Sequence, residues 1–169
     1  MTPDDMVLTP RGLRFQGQVY PCTIGKTGCT SQKREGDGAT PIGTHPIGGM
    51  LYRPDRMARP VDWARPIKPG DLWSDDVTQR DYNTMVRAPY AGRHEVLRRA
   101  DQLYDLVIIV GWNWPHAISG KGSAIFIHQY RRPGYPTEGC IALSRSHLRH
   151  IAARIGMQTR LIVSDNMAV

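Results

Sequence analysis

The chain has 169 residues, 40% of them hydrophobic, and 22 Lys and Arg against 15 Asp and Glu give a formal charge of +7. That length and apolar share suit one buried core in a single domain spanning 1–169, and 17 glycines with 13 prolines favour turns and loops and exclude a coiled coil. The charge attracts anions without naming one; because the basic residues are scattered, with neither zinc-finger spacing nor an aromatic RNA-binding motif beside them, nucleic acid is not the expected partner.

The start, "MTPDDMVLTPRG", lacks the basic end and apolar core of an export signal. "LTPRGLRFQGQVYPCTIGKTG" reads as short antiparallel strands broken by glycine turns, with Leu13 and Phe15 facing one way and Val19 following a turn at Gly17. Cys22 and Cys29 fit either a bridge or two free thiols; a bridge would leave Cys140 as the odd cysteine. "CTSQKREGDGATPIGTHPIGGMLYRPDR" reads as a surface loop, with Lys33 and Arg34 in solvent, returning to a strand near "GTHPIGG".

Prolines at 54, 60, 66, 69 and 89 rule out a regular helix across 53–93, while Trp63, Trp73, Tyr82 and Tyr90 need apolar partners. This stretch is expected to be an ordered insertion over the core, serving either as one wall of a cleft or as a purely structural loop. "HEVLRRADQLYDLVIIVGWN" predicts a short helical segment and then a buried strand from Leu106 to Val110; no apolar run reaches the roughly 18 residues of a membrane span. "GSAIFIHQY" predicts another strand, with Ala124, Phe126 and His128 on one face and Ile125 and Ile127 on the other. Ser144 caps a predicted helix whose Leu148, Ile151, Ala152 and Ile155 share a face, stopped by Gly156, and "MQTRLIVSD" closes the chain with a strand. The expected fold is mostly β, with one helix and an elaborated insertion.

The chemistry centres on "AIFIHQYRRPGYPTEGCIALS". His128 emerges at a strand end and Cys140 follows Gly139 at a turn, so an imidazole can meet a thiol beside backbone amides suited to an oxyanion. Taken alone, the same residues also fit a satisfied core histidine and a small buried thiol. His116, His128 and Cys140 lack zinc-motif spacing, and no metal is expected. His94, His147 and His150 read as solvated, and His45 has no motif-specific role.

"IFIHQYRRPGYPTEGCIAL" resembles the active-site signature of the YkuD-type L,D-transpeptidases: a strand-end histidine, then a Ser or Thr, one more residue and Gly-Cys. "YPCTIGKTG" and "GDGATPIGTHPI" look like the family's glycine-rich strand pair and T-P-x-G turn, and "WSDDVTQRDYN" with "LYDLVIIVGWN" resembles an elaborated branch. The resemblance spans about 15–165 and implies a β-sandwich-like catalytic domain with a helix after the nucleophile. It makes Cys140 the nucleophile, His128 its base, Thr137 the signature hydroxyl and Gly139 the small residue before the thiol. Glu138 and Ala142 depart from the family pattern, which commonly has histidine and arginine or asparagine there.

The implied reaction is attack by Cys140 on a peptidoglycan stem peptide before its terminal D-amino acid, with amides of Gly139–Ile141 at the oxyanion and transfer to an amine of another stem. L,D-carboxypeptidase action and D-amino-acid exchange share that acyl-enzyme, and a catalytically quiet peptidoglycan-binding module is the non-enzyme alternative. Tyr130, Arg131 and Arg132 are candidates for a peptide carboxylate. His116 suits a cleft edge or a structural contact, and Glu138 a substrate contact or a solvated carboxylate. The resemblance further implies no cofactor, stem peptides as partners, a monomer, and work in the periplasm or cell envelope, with the cytoplasm second because no export signal is seen. An activated pair would be an ion pair, holding Cys140 as thiolate below the roughly 8.5 of an ordinary thiol.

Overall fold

A computed structural model describes residues 2–167. The chain opens with an antiparallel meander of β1 (Met6–Thr9), β2 (Gly12–Phe15) and β3 (Gln18–Tyr20), turning at Gln16 and Gly17. Leu13 and Phe15 are buried and Val19 is exposed, the alternation that a half-covered strand requires. Short strands β4 (Cys22–Thr23), β5 (Cys29–Thr30) and β6 (Thr40–Pro41) lead into β7 (Gly43–Tyr52), which realises the strand read at "GTHPIGG". Cys22 and Cys29 are free thiols. Lys33, expected in solvent, is 7% exposed: its ammonium reaches the Arg34 carbonyl at 2.8 Å and the Asp37 carboxylate at 2.5 Å, and that pairing permits the burial.

After β8 (Arg65–Pro66), the insertion forms its own three-stranded antiparallel sheet from β9 (Asp71–Ser74), β10 (Met85–Arg87) and β11 (His94–Val96), with β9 central. Residues 94–105 are not helical, contrary to the sequence reading. Val96, Leu97, Ala100, Leu103 and Tyr104 have helical spacing, but antiparallel pairing of His94–Val96 with Leu72–Ser74 overrides that local pattern. Turns then carry the chain to the predicted strand β12 (Leu106–Val110).

The remaining elements are β13 (Phe126–Gln129), β14 (Ile141–Leu143), α1 (Arg145–Ala152) and β15 (Arg160–Val163). The main sheet runs β3-β2-β1-β15-β7-β12-β13-β14-β4, with β8 beside β7, and curls into a nearly closed barrel. Ser144 caps α1 as expected, its hydroxyl accepting the His147 amide at 3.2 Å. Leu148, Ile151, Ala152 and Ile155 are buried, although the helix ends before Gly156. His147 and His150 are half-buried against the Tyr20 ring, and His94 is half-buried with Nδ1 2.7 Å from the Gly92 carbonyl; none of the three is the solvated side chain that its polar surroundings implied.

Both faces of β12 are covered. Leu106, Ile108 and Val110 join Ile125, Ile127, Ile141, Leu143 and the apolar side of α1 in the main core. Val107 and Ile109 face the other way, into a smaller core with Ile67, Trp73, Leu97, Tyr104, Phe126 and Cys140. Thus the insertion is seated on the sheet face that carries Cys140.

Candidate active site

Strands β13 and β14 are parallel neighbours, with Ile127 opposite Ile141 and His128 opposite Ala142. Because strand side chains alternate, Ile127 and Ile141 enter the main core while Phe126 and His128 share the opposite face with Ala142 and with Cys140 just before β14. This register puts thiol and imidazole on one side of the sheet. Ala142, beside His128, adds only a methyl group there.

Three glycine-containing segments meet under the thiol. The Thr137 amide donates to the Ile24 carbonyl at 2.9 Å, and Lys26 donates back to Thr137 at 2.8 Å. Thr137 Oγ1 donates to the Cys140 carbonyl at 2.6 Å and accepts the Gly139 amide at 3.1 Å, closing the turn. Thr40 Oγ1 donates to the Gly139 carbonyl at 2.9 Å and accepts the Gly25 amide at 3.0 Å. Gly139 has φ +134°, and a Cβ there would lie 2.7 Å from the Ala39 carbonyl oxygen; one on Gly25 would lie 2.3 Å from the Gly38 carbonyl oxygen. Only glycine permits such backbone approach.

His128 Nδ1 lies 2.7 Å from the Gln129 carbonyl. A carbonyl can only accept, so Nδ1 carries the proton and Nε2 keeps its lone pair, the tautomer a general base needs. The Tyr104 ring packs edge-on against the imidazole, centroids 5.3 Å apart. Cys140 Sγ donates to the Ala124 carbonyl at 3.2 Å and accepts the Phe126 amide at 3.4 Å.

Burial dominates the protonation of both groups. It drives His128 down to about 4, a fall opposed by the Gln129 carbonyl and furthered by the Arg99 charge. It pushes Cys140 up to about 12, with Glu95 adding to the rise and the Phe126 amide and Lys33 opposing it. Both shifts favour a neutral thiol and a neutral imidazole over the ion pair expected from the sequence, because burial disfavours charge on either group.

The site opens into a cavity of about 530 Å³ whose lining includes Cys140, His128, Tyr130, Arg131, Thr137 and Glu138. Glu138 is exposed and pairs with Lys26 at 2.8 Å on the rim. Arg131 and Arg132 stack over the Tyr135 ring, and Arg132 is not part of the lining. His116 is exposed and outside the lining, and Ile141 is fully buried in the core. Asp75 and Arg93 bring the insertion into the cavity wall, and Lys33, Glu35, Glu95, Arg99 and Tyr104 join them. None of those five was assigned to the site from the sequence, and "HEV" carries no signal for it, since its apolar residue Val96 is exposed while Glu95 lines the cavity.

The model of the L,D-transpeptidase catalytic domain, YkuD, matches residues 7–163. The chain belongs to the YkuD family. A solved L,D-transpeptidase from Mycobacterium smegmatis is similar over 94% of this chain and 57% of that one, at 15% identity and a TM-score of 0.43. This chain thus spans just over half of that protein's length. No curated protein matches the sequence. The resemblance read from the histidine and Gly-Cys motifs is borne out by the family match, and the YkuD domain accounts for the mostly β fold.

Proposed function

We propose that this YkuD domain is a cysteine-dependent acyltransferase acting on peptidoglycan stem peptides. The observation that carries the proposal is the placement of Cys140 and His128 on one sheet face, lining one cavity, with His128 Nε2 left unprotonated. Cys140 gives its proton to Nε2 as Sγ attacks the carbonyl before the terminal D-amino acid. Backbone amides of Gly139–Ile141 take up the oxyanion; since the Gly139 amide is held by Thr137 and Ile141 lies in the strand ladder, Cys140's own amide is the leading donor. Collapse expels the amine, which takes the proton from Nε2 and leaves a thioester. An amine of a second stem then attacks the thioester carbonyl, His128 accepts its proton, and the thiol is released.

Starting from a neutral pair, proton transfer from Sγ to Nε2 accompanies attack. A wall-facing location is what the substrate requires, and the +7 charge favours an anionic wall. The test is mass spectrometry of products from defined tripeptide and tetrapeptide stems, with and without an added amine, for the wild type and C140A. Release of the terminal D-amino acid with a new cross-link in wild type alone supports transpeptidation, and release without a cross-link supports the carboxypeptidase. Equal turnover by C140A removes Cys140 as nucleophile; binding without turnover in both favours a binding module.

A further inference from the structure

Asn83, in the insertion, makes a buried polar connection to the nucleophile's surroundings. Asn83 is 2% exposed and sits at φ +58°, a left-handed conformation that asparagine tolerates better than most residues. Its Oδ1 accepts Trp73 Nε1 at 3.0 Å and the Ala124 amide at 2.9 Å. Its Nδ2 donates to the Trp112 carbonyl at 3.2 Å and the Asn113 carbonyl at 2.6 Å. Two N–H donors on one side and two carbonyls on the other fix the orientation of the amide, and neither aspartate nor leucine satisfies all four.

Ala124 is the link to the thiol. It has φ +51°, left-handed and unfavourable for a residue with a Cβ, and its carbonyl accepts the Cys140 thiol at 3.2 Å. Something must hold that conformation, and the bond from its amide to Asn83 does so. Trp73, also bonded to Asn83, packs its ring edge-on against Phe126 at 5.2 Å, and the Phe126 amide donates to the same sulfur. Asn83 thus bears on both groups that touch Sγ.

We propose that Asn83 is a positioning residue for Cys140: by fixing the Ala124 carbonyl it holds the thiol in one rotamer, poised at the cavity, and this is what the insertion contributes to the reaction. The proposal rests on Cys140 being the nucleophile, but alkylation of Cys140 by a small reagent reads the positioning without turnover, so the two ideas fail separately.

The test compares N83A, A124G and N83A/A124G with wild type, checking the fold of each by thermal melting. A124G leaves Asn83 in place and removes the Cβ that makes φ +51° unfavourable, since glycine adopts either sign of φ with ease. In folded N83A, kcat on a tetrapeptide stem is expected to fall about tenfold, with KM within about twofold of wild type. The pH profile of Cys140 alkylation is expected to move to lower pH, because the thiol loses the carbonyl that favours its protonated form. A124G alone is expected to keep both readouts at wild-type values; in N83A/A124G, where the turn needs less help to stay left-handed, both are expected to shift in the same direction as in N83A but by less, and this double variant read against A124G serves if N83A does not fold. An alkylation profile and kcat per folded molecule that stay at wild-type values in folded N83A, or in folded N83A/A124G where N83A does not fold, overturn the proposal.

Discussion

Thr40 holds Gly139 in place: its hydroxyl, fully buried, donates to the Gly139 carbonyl at 2.9 Å while accepting the Gly25 amide at 3.0 Å. One side chain from the "ATPIG" turn therefore sets the backbone on which the thiol rides. T40V keeps the shape and removes both bonds, leaving a buried carbonyl and a buried amide unpaired. The expected cost is about 2–4 kcal/mol, since each orphaned group costs roughly 1–3 kcal/mol. T40S keeps the hydroxyl and is expected to lose about 1 kcal/mol. Denaturant midpoints with unchanged slopes check this; equal losses in the two variants would show that the methyl group, not the hydroxyl, matters.

Burial of His128 and Cys140 gives stability a defined dependence on pH. His128 drops from an ordinary 6.5 to about 4 in the folded state, so the unfolded chain takes up its proton first as pH falls. Stability is full above about pH 6.5 and lost progressively toward pH 4, by on the order of 3 kcal/mol at 1.36 kcal/mol per unit. Cys140 behaves in the opposite sense: raised from 9.0 to about 12, it costs stability as pH climbs through that window, because the unfolded chain ionises first. His45 is also lowered by burial and adds to the acid limb. H128Q is therefore expected to flatten the fall between pH 6.5 and 4 without abolishing it, as measured by denaturation midpoints across that range. An unchanged acid limb would mean that His128 is accessible to protons in the folded state.

Strand alternation made His128 and its face legible in advance, since "AIFIHQ" obeys a period of two. Cys140 was legible through the glycine beside it. The third glycine-rich contributor, Thr40 in "ATPIG", could be seen as a turn but not as a hydroxyl serving a loop 99 residues away. Pairing at such range leaves no local pattern. The insertion fails for a related reason: Trp73 and Tyr82 demand burial, yet nothing in "WSDDVTQRDYN" says which surface receives them. Burial, absent from any motif, is what turns both groups toward their neutral forms and against the ion pair that the sequence suggests. His147 shows the same limit, a polar residue in a polar stretch whose burial depends on the distant Tyr20 ring, whereas the partner that lets Lys33 be buried, Asp37, lies only four residues away.

Glu138 occupies a position where a role in the reaction was open, and its contacts now point to the rim. Its carboxylate pairs with Lys26 at 2.8 Å, with 73% and 51% of the two side chains exposed. Such pairs contribute about 0–1 kcal/mol because solvent screens them and ordering two side chains costs entropy. E138Q is expected to change stability by less than about 0.5 kcal/mol and kcat by less than about threefold. A kcat loss of about a hundredfold or more would instead place the carboxylate in the proton-transfer path.

The sharpest test of the neutral pair is H128Q, read by two assays that an ion pair would move together. In an ion pair, His128 holds the thiolate, and its removal slows alkylation of Cys140 near neutral pH. Burial takes His128 down to about 4 and Cys140 up to about 12, which favours a neutral imidazole at pH 7, so replacing His128 is expected to remove no positive charge. The glutamine amide can still donate toward the Gln129 carbonyl, but it has no basic nitrogen to replace Nε2. Wild-type alkylation is therefore expected to be slow at pH 7 and to rise only in strong alkali, with the H128Q profile nearly superimposed on it. Turnover is expected to fall by about 10²–10⁴, the contribution of a positioned general base. Fast wild-type alkylation at pH 7 that slows in H128Q would restore the ion pair; superimposed profiles with unchanged turnover would make His128 a structural residue and assign the proton to another group in the cavity.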